Sequence, residues 1–474
     1  MRAVSDHQPV LTLSDDSLPA VAARGIPVPT FDRAALEPRI AHIGVGGFHR
    51  AHLALYTHEL AERGSTWGIR GLGLLAHDIK IAEVLRSQDH LYSLTEKGTG
   101  TFDPQIIGSI VDYVLANDDP SRATKVIADP MTAILSLTIT EAGYVEPTDP
   151  GGRTTFDLIA DGLARRQAAG AGPITVLSCD NLPGNGDVAR RAMMAAATRH
   201  STGLAEWITA NCSFPNSMVD RITPQTAPGD RAWLLDNFGV DDQWPVVGEP
   251  FRQWVIEDDF IAGRPNWEDV GVLFTDDVHR WELYKLRMLN AGHSCMAYLA
   301  ALAGVVYVDE AMTMTPITDF LDELLHAEAL PTLVEIPGHR REDYIATVLG
   351  RFANTGVRDQ IARLCIDGTA KFPTFLIPTI ERQLELDGPI RCATLALAAW
   401  ARYLGTVPMA EQSFDTHGDA TRPFAVRALD NPAAFLALSS VFPPALQHNE
   451  RFCEAFVNAY RQLEARGPIA AMIG

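Results

Sequence analysis

The chain has 474 residues, 47% hydrophobic and 21% charged, which is material for about two to four soluble globular domains with a large core. A formal net charge of −20 argues against nucleic acid or an anionic membrane as partner, while leaving room for a local basic pocket that takes a small anion. Six cysteines (Cys179, Cys212, Cys295, Cys365, Cys392 and Cys453) lie far apart without Cys-x-x-Cys spacing, as in a cytoplasmic protein with reduced thiols and no zinc site.

In chain order, Met1 to Pro29 lacks the charged and apolar regions of a secretory signal. Residues 1–35 read as a surface arm in which Pro9, Pro19, Pro27 and Pro29 break any helix. Arg39 to Ile43 reads as a short strand that runs into Gly44-Val45-Gly46-Gly47. A helical pattern follows from Arg50 to Leu60, with Leu53, Tyr56 and Leu60 on one side. Trp67 to Leu75 reads as a second strand, ending at Ala76-His77-Asp78. Strand, glycine turn, helix, strand and acidic residue is the order of a βαβ dinucleotide-binding unit. Ile79 to Arg86 then reads as helix, and Ile106 to Val111 begins another ordered segment. Ala133 to Thr140 and Ile174 to Cys179 are β-branched runs typical of buried parallel strands, and a helix is expected from Asp187 to Arg199. Ligands of open α/β sheets bind at the carboxyl ends of strands, so Gly44–Phe48, Asp78, Thr140-Glu141 and Asp180-Asn181 should border one crevice.

From Asp277 to Tyr298 the pattern changes. Asp276 and Asp277 are N-cap candidates, and no proline interrupts the helix formers after Trp281. At about 100° per residue, with Lys285 at the origin, Glu282 falls at about 60°, His293 at about 80° and Asn290 at about 140°. These polar groups share an arc with Leu286, Leu289 and Met296, which is costly unless they bond to each other or to a ligand. The alternatives are a buried polar network and an active site. Beyond this stretch, helical periodicity recurs around 317–327, 342–352, 360–365, 375–386, 391–404, 432–441 and 451–464, and strand-like alternation is scarce. The longest apolar helical run, Cys392 to Ala401, is too short to span a bilayer. The expected fold class is α/β: a Rossmann-type N-terminal domain over residues 1–280, then a mainly α-helical C-terminal domain over 281–474, with the Asp277 helix at the seam.

Several residues carry more than one reading. The turn Gly44-Val45-Gly46-Gly47-Phe48 supplies the first two glycines of G-x-G-x-x-G, but His49 stands in place of the third. A bound pyrophosphate would therefore rely on the backbone N–H groups of Gly46 to Phe48. Asp78 could accept the adenosine ribose hydroxyls, favouring NAD over NADP, or cap the following helix, or both. His49, Arg50, His52 and His58 lack a carboxylate or thiolate at ligand spacing, so structural or phosphate-adjacent roles are expected rather than a metal. Asn181 could aim its amide at a substrate or stabilise the turn before Pro183. Asp220-Arg221 could be a surface ion pair or line a site.

The blocks Ile43-Gly-Val-Gly-Gly-Phe-His-Arg-Ala-His52, Leu137-Thr-Ile-Thr-Glu-Ala-Gly-Tyr144, Ser178-Cys-Asp-Asn-Leu-Pro183, Ser213-Phe-Pro-Asn216 with Met218-Val-Asp-Arg-Ile-Thr-Pro224, Lys285-x4-Asn290-x2-His293 and Asp367-Gly-Thr-Ala-Lys-Phe-Pro373 closely resemble, in this order, the mannitol 2-dehydrogenase family of polyol-specific long-chain dehydrogenases and reductases. The resemblance implies a Rossmann-type domain, a helical C-terminal domain, and metal-independent hydride transfer between NAD(P) and a polyol or its keto sugar, of the mannitol/fructose or D-arabinitol/D-xylulose kind. It mildly favours a monomer. By matched motif, Lys285 resembles the catalytic lysine, and Asn181 and Asn290 the amide pair at the reacting oxygen. His293 resembles a substrate-positioning histidine and Glu282 a proton-relay glutamate, while Asp220, Arg363 and Lys371 match further substrate-pocket positions. Where the family's mannitol enzymes have an acidic pair after the second strand, this chain has His77-Asp78, which weakens the case for NAD over NADP without removing it.

The chemistry these residues suit is the oxidation of a secondary alcohol, in which the hydroxyl proton is removed as hydride leaves carbon. A lysine whose pKa is lowered by burial can be the base. Asn181 and Asn290 would donate to the oxygen as it gains alkoxide character. His293 and Arg363 would hold neighbouring hydroxyls, and Glu282 would pass the proton outward. Two rival readings remain. A sugar-acid oxidoreductase of the fructuronate reductase type would need an added cationic contact from Arg363, Lys371 or Arg287. A catalytically silent nucleotide-binding regulator would have no use for Lys285, Asn290 and His293 on one helix side.

Overall fold

The computed structural model describes residues 9–145, 152–408 and 418–473. The chain forms two compact units, divided between His279 and Arg280. The first is built on a six-stranded sheet. Its strands are β1 (Glu37–Ile43), β2 (Trp67–Gly73), β3 (Ile110–Leu115), β4 (Ile134–Leu137), β5 (Ile174–Ser178) and β6 (Cys212–Ser213). All pairs are parallel and the spatial order is β3-β2-β1-β4-β5-β6, the doubly wound order of a Rossmann fold. The period-2 geometry of strands sends alternate residues to two separate cores. Ile40, Ile134 and Leu177 join the layer that holds Tyr56, Trp254 and Trp267. Ala41, Ile43, Leu135, Leu137 and Val176 face the helices Thr155–Ala169 and Asn185–His200 through Phe156, Leu163 and Met193. Both faces being covered explains why β4 and β5 are buried at every residue. The strand order reverses between β1 and β4, so the crevice expected for a ligand opens at their carboxyl ends.

Three local expectations need correction. The N-terminal arm contains a helix, Leu18–Ala23, with Pro19 in its first turn, where the missing N–H removes no helical bond. The continuous helix expected from Arg50 to Leu60 is two pieces, Gly47–Ala51 and Leu53–Ala61, broken at His52 (φ −126°, ψ −93°). His52 is held out of helical conformation by a bond of Nε2 to the Gln253 carbonyl (3.1 Å) and by packing on Phe48 and Trp254. A hairpin, Tyr92–Gly98 with Thr101–Ile107, was not anticipated because Pro104 and a run of polar residues hide its alternation.

In the second unit the described residues form helices, with a single isolated bridge between Tyr307 and Gln360. The helix Arg391–Thr406 is its axis, buried without a break from Cys392 to Ala401. It packs against Ala291–Leu302 and Glu450–Ile473. Trp400, Phe435, Phe442 and Phe456 fill the space around it with edge-on and stacked rings. Among the described residues, no helix is long and apolar enough to cross a membrane.

Candidate active site

In the first unit the site is made of turns. Gly44, which ends β1, has φ +93°, and a Cβ there would lie 2.1 Å from the Thr138 carbonyl oxygen at the end of β4, so only glycine fits. Gly46 precedes the helix Gly47–Ala51 in extended conformation, and its N–H donates to the Gly44 carbonyl (2.6 Å). Added Cβ atoms at Gly46 and Gly47 would meet nothing nearer than 3.8 and 3.7 Å, so the outer side of the turn is an uncrowded cradle of backbone N–H groups at a helix start. That observation fits a dinucleotide pyrophosphate over Gly44, Val45, Gly46, Gly47 and Phe48.

Beneath the turn lies a support that sequence reasoning missed. His42, on β1, places Nδ1 2.8 Å from Ser136 Oγ and Nε2 3.0 Å from Thr138 Oγ1, and Thr138 Oγ1 donates to the Gly44 carbonyl (2.7 Å). The His49 ring stacks on His42 with centroids 3.4 Å apart and planes at 15°. Burial pushes His42 down to about 3 and holds His49 well below the usual imidazole range, so both rings are neutral. His42 sits at an inward position of a strand, where its period-2 placement was a signal that it would be buried.

Asp78 lies in the first turn of the helix Asp78–Ser87, whose N-cap is His77, so the reading of Asp78 as the helix cap is replaced. Its Oδ2 accepts the N–H groups of Leu74 (2.9 Å) and Leu75 (2.8 Å), closing the turn after β2. The other oxygen, Oδ1, is 3.6 Å from His77 Nε2. Asn181 is the exposed centre of a three-residue turn in which the Leu182 N–H donates to the Asp180 carbonyl (2.9 Å). Asp180, expected only to border the crevice, ties this turn to the end of β4. Its carboxylate accepts from Ile139 N–H (3.1 Å), Thr140 N–H (2.8 Å) and the Tyr144 hydroxyl (2.7 Å). Burial raises the Asp180 carboxyl, against the opposing pull of those donors. Asp220 ends the strand Ser217–Asp220 and is buried. Arg221 is no surface residue: it is buried and bonds to Glu96 Oε1 (2.6 Å) and to the carbonyls of Ala51 (2.5 Å) and Glu249 (2.9 Å).

In the second unit the site is carried by one long helix with a defect. The α-helix Val278–Tyr284 passes into a π-turn, Lys285–Asn290, and returns to α geometry over Ala291–Leu302. The Ala291 N–H reaches back five residues to the Leu286 carbonyl, the signature of that widened turn. In such a turn residues five apart stand over each other. Lys285 and Asn290, which an α-helical wheel separates by about 140°, therefore share one side. Lys285 and Glu282 are buried, and Asn290 and His293 are half-buried. The His293 ring lies on Phe352. Arg363 forms a two-pronged ion pair with Asp359, and Lys371 Nζ donates to the Leu364 carbonyl (3.0 Å). One group of potential metal ligands occurs among the described residues, Glu323, Glu328 and Cys392. Its oxygens are already engaged, Glu323 by Arg391 and Glu328 by the N–H groups of Cys392 (2.6 Å) and Ala393 (2.9 Å).

The model of the mannitol dehydrogenase Rossmann domain matches residues 38–269, and that of the mannitol dehydrogenase C-terminal domain matches residues 277–464. The chain belongs to the mannitol dehydrogenase family. Mannitol 2-dehydrogenase of Pyrenophora tritici-repentis is 38% identical over 98% of this chain and 86% of its own length. That of Phaeosphaeria nodorum is 40% identical over 95% and 83%. Among solved family structures, Pseudomonas fluorescens mannitol 2-dehydrogenase in ternary complex with NAD and D-mannitol superposes with a TM-score of 0.84 at 38% identity, covering 98% of this chain and 99% of that one. A substrate-free D-sorbitol dehydrogenase superposes with a TM-score of 0.90 at 33% identity, covering 97% and 100%.

Proposed function

We propose that this member of the mannitol dehydrogenase family is an NAD-dependent, metal-independent polyol dehydrogenase that interconverts a neutral sugar alcohol and its keto sugar, with Lys285 as general base. The observation that carries the reading is the π-turn, which brings Lys285 and Asn290 to one side of a helix on which Lys285 is buried. A π-turn replaces sound α-helical bonds with poorer ones, and such turns are frequent at functional sites. The relative solved with NAD and D-mannitol, similar over nearly the whole of both chains, supports the cofactor and the substrate class.

In this reading the first unit holds the dinucleotide, and Lys285, Asn290 and His293 of the second act on the substrate. The turn Gly44 to Phe48 takes the pyrophosphate on the N–H groups of Gly47 and Phe48, the Gly46 N–H being given to the Gly44 carbonyl, and Asp78 takes the adenosine ribose. Bound NAD supplies the acceptor for the hydride that leaves the carbinol carbon. The neutral amine of Lys285 takes the hydroxyl proton. The amides of Asn181 and Asn290 donate to the same oxygen as negative charge gathers on it. His293, Asp220, Arg363 and Lys371 bind the remaining hydroxyls, and Glu282, one turn before Lys285, carries the proton away. A neutral polyol is preferred to a sugar acid because the cations that could meet a carboxylate are engaged: Arg363 by Asp359, Lys371 by the Leu364 carbonyl (3.0 Å), and Arg287 by the carbonyl and hydroxyl of Thr332 (3.0 Å each).

The test is the pH profile of D-mannitol, D-arabinitol and D-sorbitol oxidation by the wild type and by Lys285→Ala. The wild type is expected to form NADH from at least one polyol, with turnover rising toward alkaline pH. Lys285→Ala is expected to lose on the order of 1,000-fold in kcat, together with that rising limb. A variant that keeps both removes Lys285 from the role of base. NADH binding without turnover on any polyol would favour a silent regulator.

A further inference from the structure

On the Lys285 helix, His293 rests on an aromatic floor. Its imidazole lies nearly flat on the ring of Phe352, with centroids 4.0 Å apart and planes at 24°. Phe352 is the last residue of the helix Arg341–Phe352 and is 1% exposed. Its ring is seated against the backbone of Gly292, the residue before His293. A Cβ at Gly292 would lie 3.2 Å from Phe352 Cε2, 3.4 Å from Cζ and 3.8 Å from Leu325 Cδ2. Glycine in the interior of a helix is unfavourable by itself. Here it gives the ring the notch it needs to reach beneath the imidazole.

A stacked neighbour constrains a histidine differently from a hydrogen bond. It covers one face and fixes the plane of the ring, and leaves the ring edge, where the nitrogens lie, to in-plane hydrogen bonds. A half-buried histidine without such a floor would have to give up rotamer freedom each time a substrate binds. We propose that Phe352, seated in the notch left by Gly292, is a positioning residue that acts through His293 and sets the affinity for the polyol. The proposal rests on the reading of His293 as a substrate anchor.

The experiment is a double-mutant cycle on the whole enzyme with D-mannitol and NAD. It reads KM for the polyol, kcat, NADH affinity by fluorescence, and Tm for Phe352→Leu, His293→Ala, the double variant and Gly292→Ala. Phe352→Leu is expected to raise the polyol KM about 10-fold, with NADH affinity unchanged. In the His293→Ala background it is expected to add nothing, because the ring it would orient is gone. Gly292→Ala is expected to raise KM about 3-fold by displacing the Phe352 ring, while Tm holds or rises because alanine favours the helix. A merely structural role would make KM follow Tm, so KM and Tm moving together in Gly292→Ala overturns the proposal even if Phe352→Leu fails to fold. The overturning result in Gly292→Ala is a KM rise accompanied by a fall in Tm. An unchanged KM in Phe352→Leu also overturns the proposal, as does a further rise in the double variant, when His293→Ala alone raises KM. An unchanged KM in His293→Ala removes instead the reading of His293, and the proposal with it.

Discussion

The strand-end turns of the first unit and the Lys285 helix of the second fix polar groups by opposite means. In the first unit each group is locked by close neighbours, from its own turn or from the adjoining strand end: Asp78 by the N–H groups of Leu74 and Leu75, Gly44 by the Thr138 carbonyl, Asp180 by Ile139, Thr140 and Tyr144. In the second unit the groups share one rod, and their mutual placement depends on the register of a single widened turn. Damage to the first arrangement is therefore atomic and local. Damage to the second propagates to every residue beyond the break.

The largest expected effect belongs to the first arrangement. Gly44→Ala would put a Cβ 2.1 Å from a carbonyl oxygen at φ +93°. The left-handed backbone and the overlap together cost about 4 kcal/mol. The variant is expected to lose NADH binding and to melt well below the wild type. Gly47→Ala, whose Cβ would meet nothing nearer than 3.7 Å, should keep its Tm and weaken only NADH binding. Equal loss of Tm in both variants would refute the claim that the turn's inner side is structural and its outer side faces the ligand.

Next comes a buried carboxylate of the helical unit. Glu328 is fully buried, and burial lifts its carboxyl from 4.5 to about 7 although it accepts two N–H groups at the start of the helix Arg391–Thr406. The folded chain thus holds this proton more tightly than the unfolded chain. The stability linked to it is fully present below about pH 4.5 and is lost as pH rises through about 7, about 3 kcal/mol in all. Urea midpoints should fall over that window in the wild type, and the fall should be shallower in Glu328→Gln, which has no proton to release. Parallel slopes would show that Glu328 is not the group responsible.

The same contrast explains what could be read from residues alone. Strand identity, sheet class and the glycine turn were legible because period-2 burial and turn chemistry are local: Ile134 to Leu137 announce a two-sided strand, and Gly44 a turn that admits no side chain. The polar arc of Lys285, Asn290 and His293 was legible as a set, but not its geometry. A wheel of about 100° per residue assumes an unbroken α-helix, and nothing in Lys285-Leu-Arg-Met-Leu-Asn290 marks a five-residue turn. His42 and Asp180 were overlooked as supports because their partners, Ser136 and Thr138 for one and Ile139 and Tyr144 for the other, are far off in sequence. Phe352 met His293 by tertiary packing alone.

Breaking the rod is the direct test of the second arrangement. Inserting one alanine after Leu286, a half-buried residue of the π-turn, would add a residue to the rod and turn Asn290 and His293 by about 100° relative to Lys285. Misplacement of about 1 Å costs on the order of 100-fold in rate, so kcat should fall by at least that much while NADH affinity and helical circular dichroism hold. Retained turnover would mean that the π-turn is incidental to catalysis.

The smallest effect sharpens the comparison most, because it should touch one ligand and spare the other. Asp78→Asn keeps an oxygen that can accept from Leu74 and Leu75, so the turn should survive. What it removes is the negative charge, which repels the extra phosphate of NADP and accepts strongly from a ribose hydroxyl. The ratio of kcat/KM for NAD over NADP should drop about 10-fold, the equivalent of one charged hydrogen bond of about 1.4 kcal/mol. The polyol KM should stay at its wild-type value. Phe352→Leu should do the reverse, moving the polyol KM and sparing the cofactor. If either variant moves both constants, the division of labour between locked turns and a registered helix is wrong.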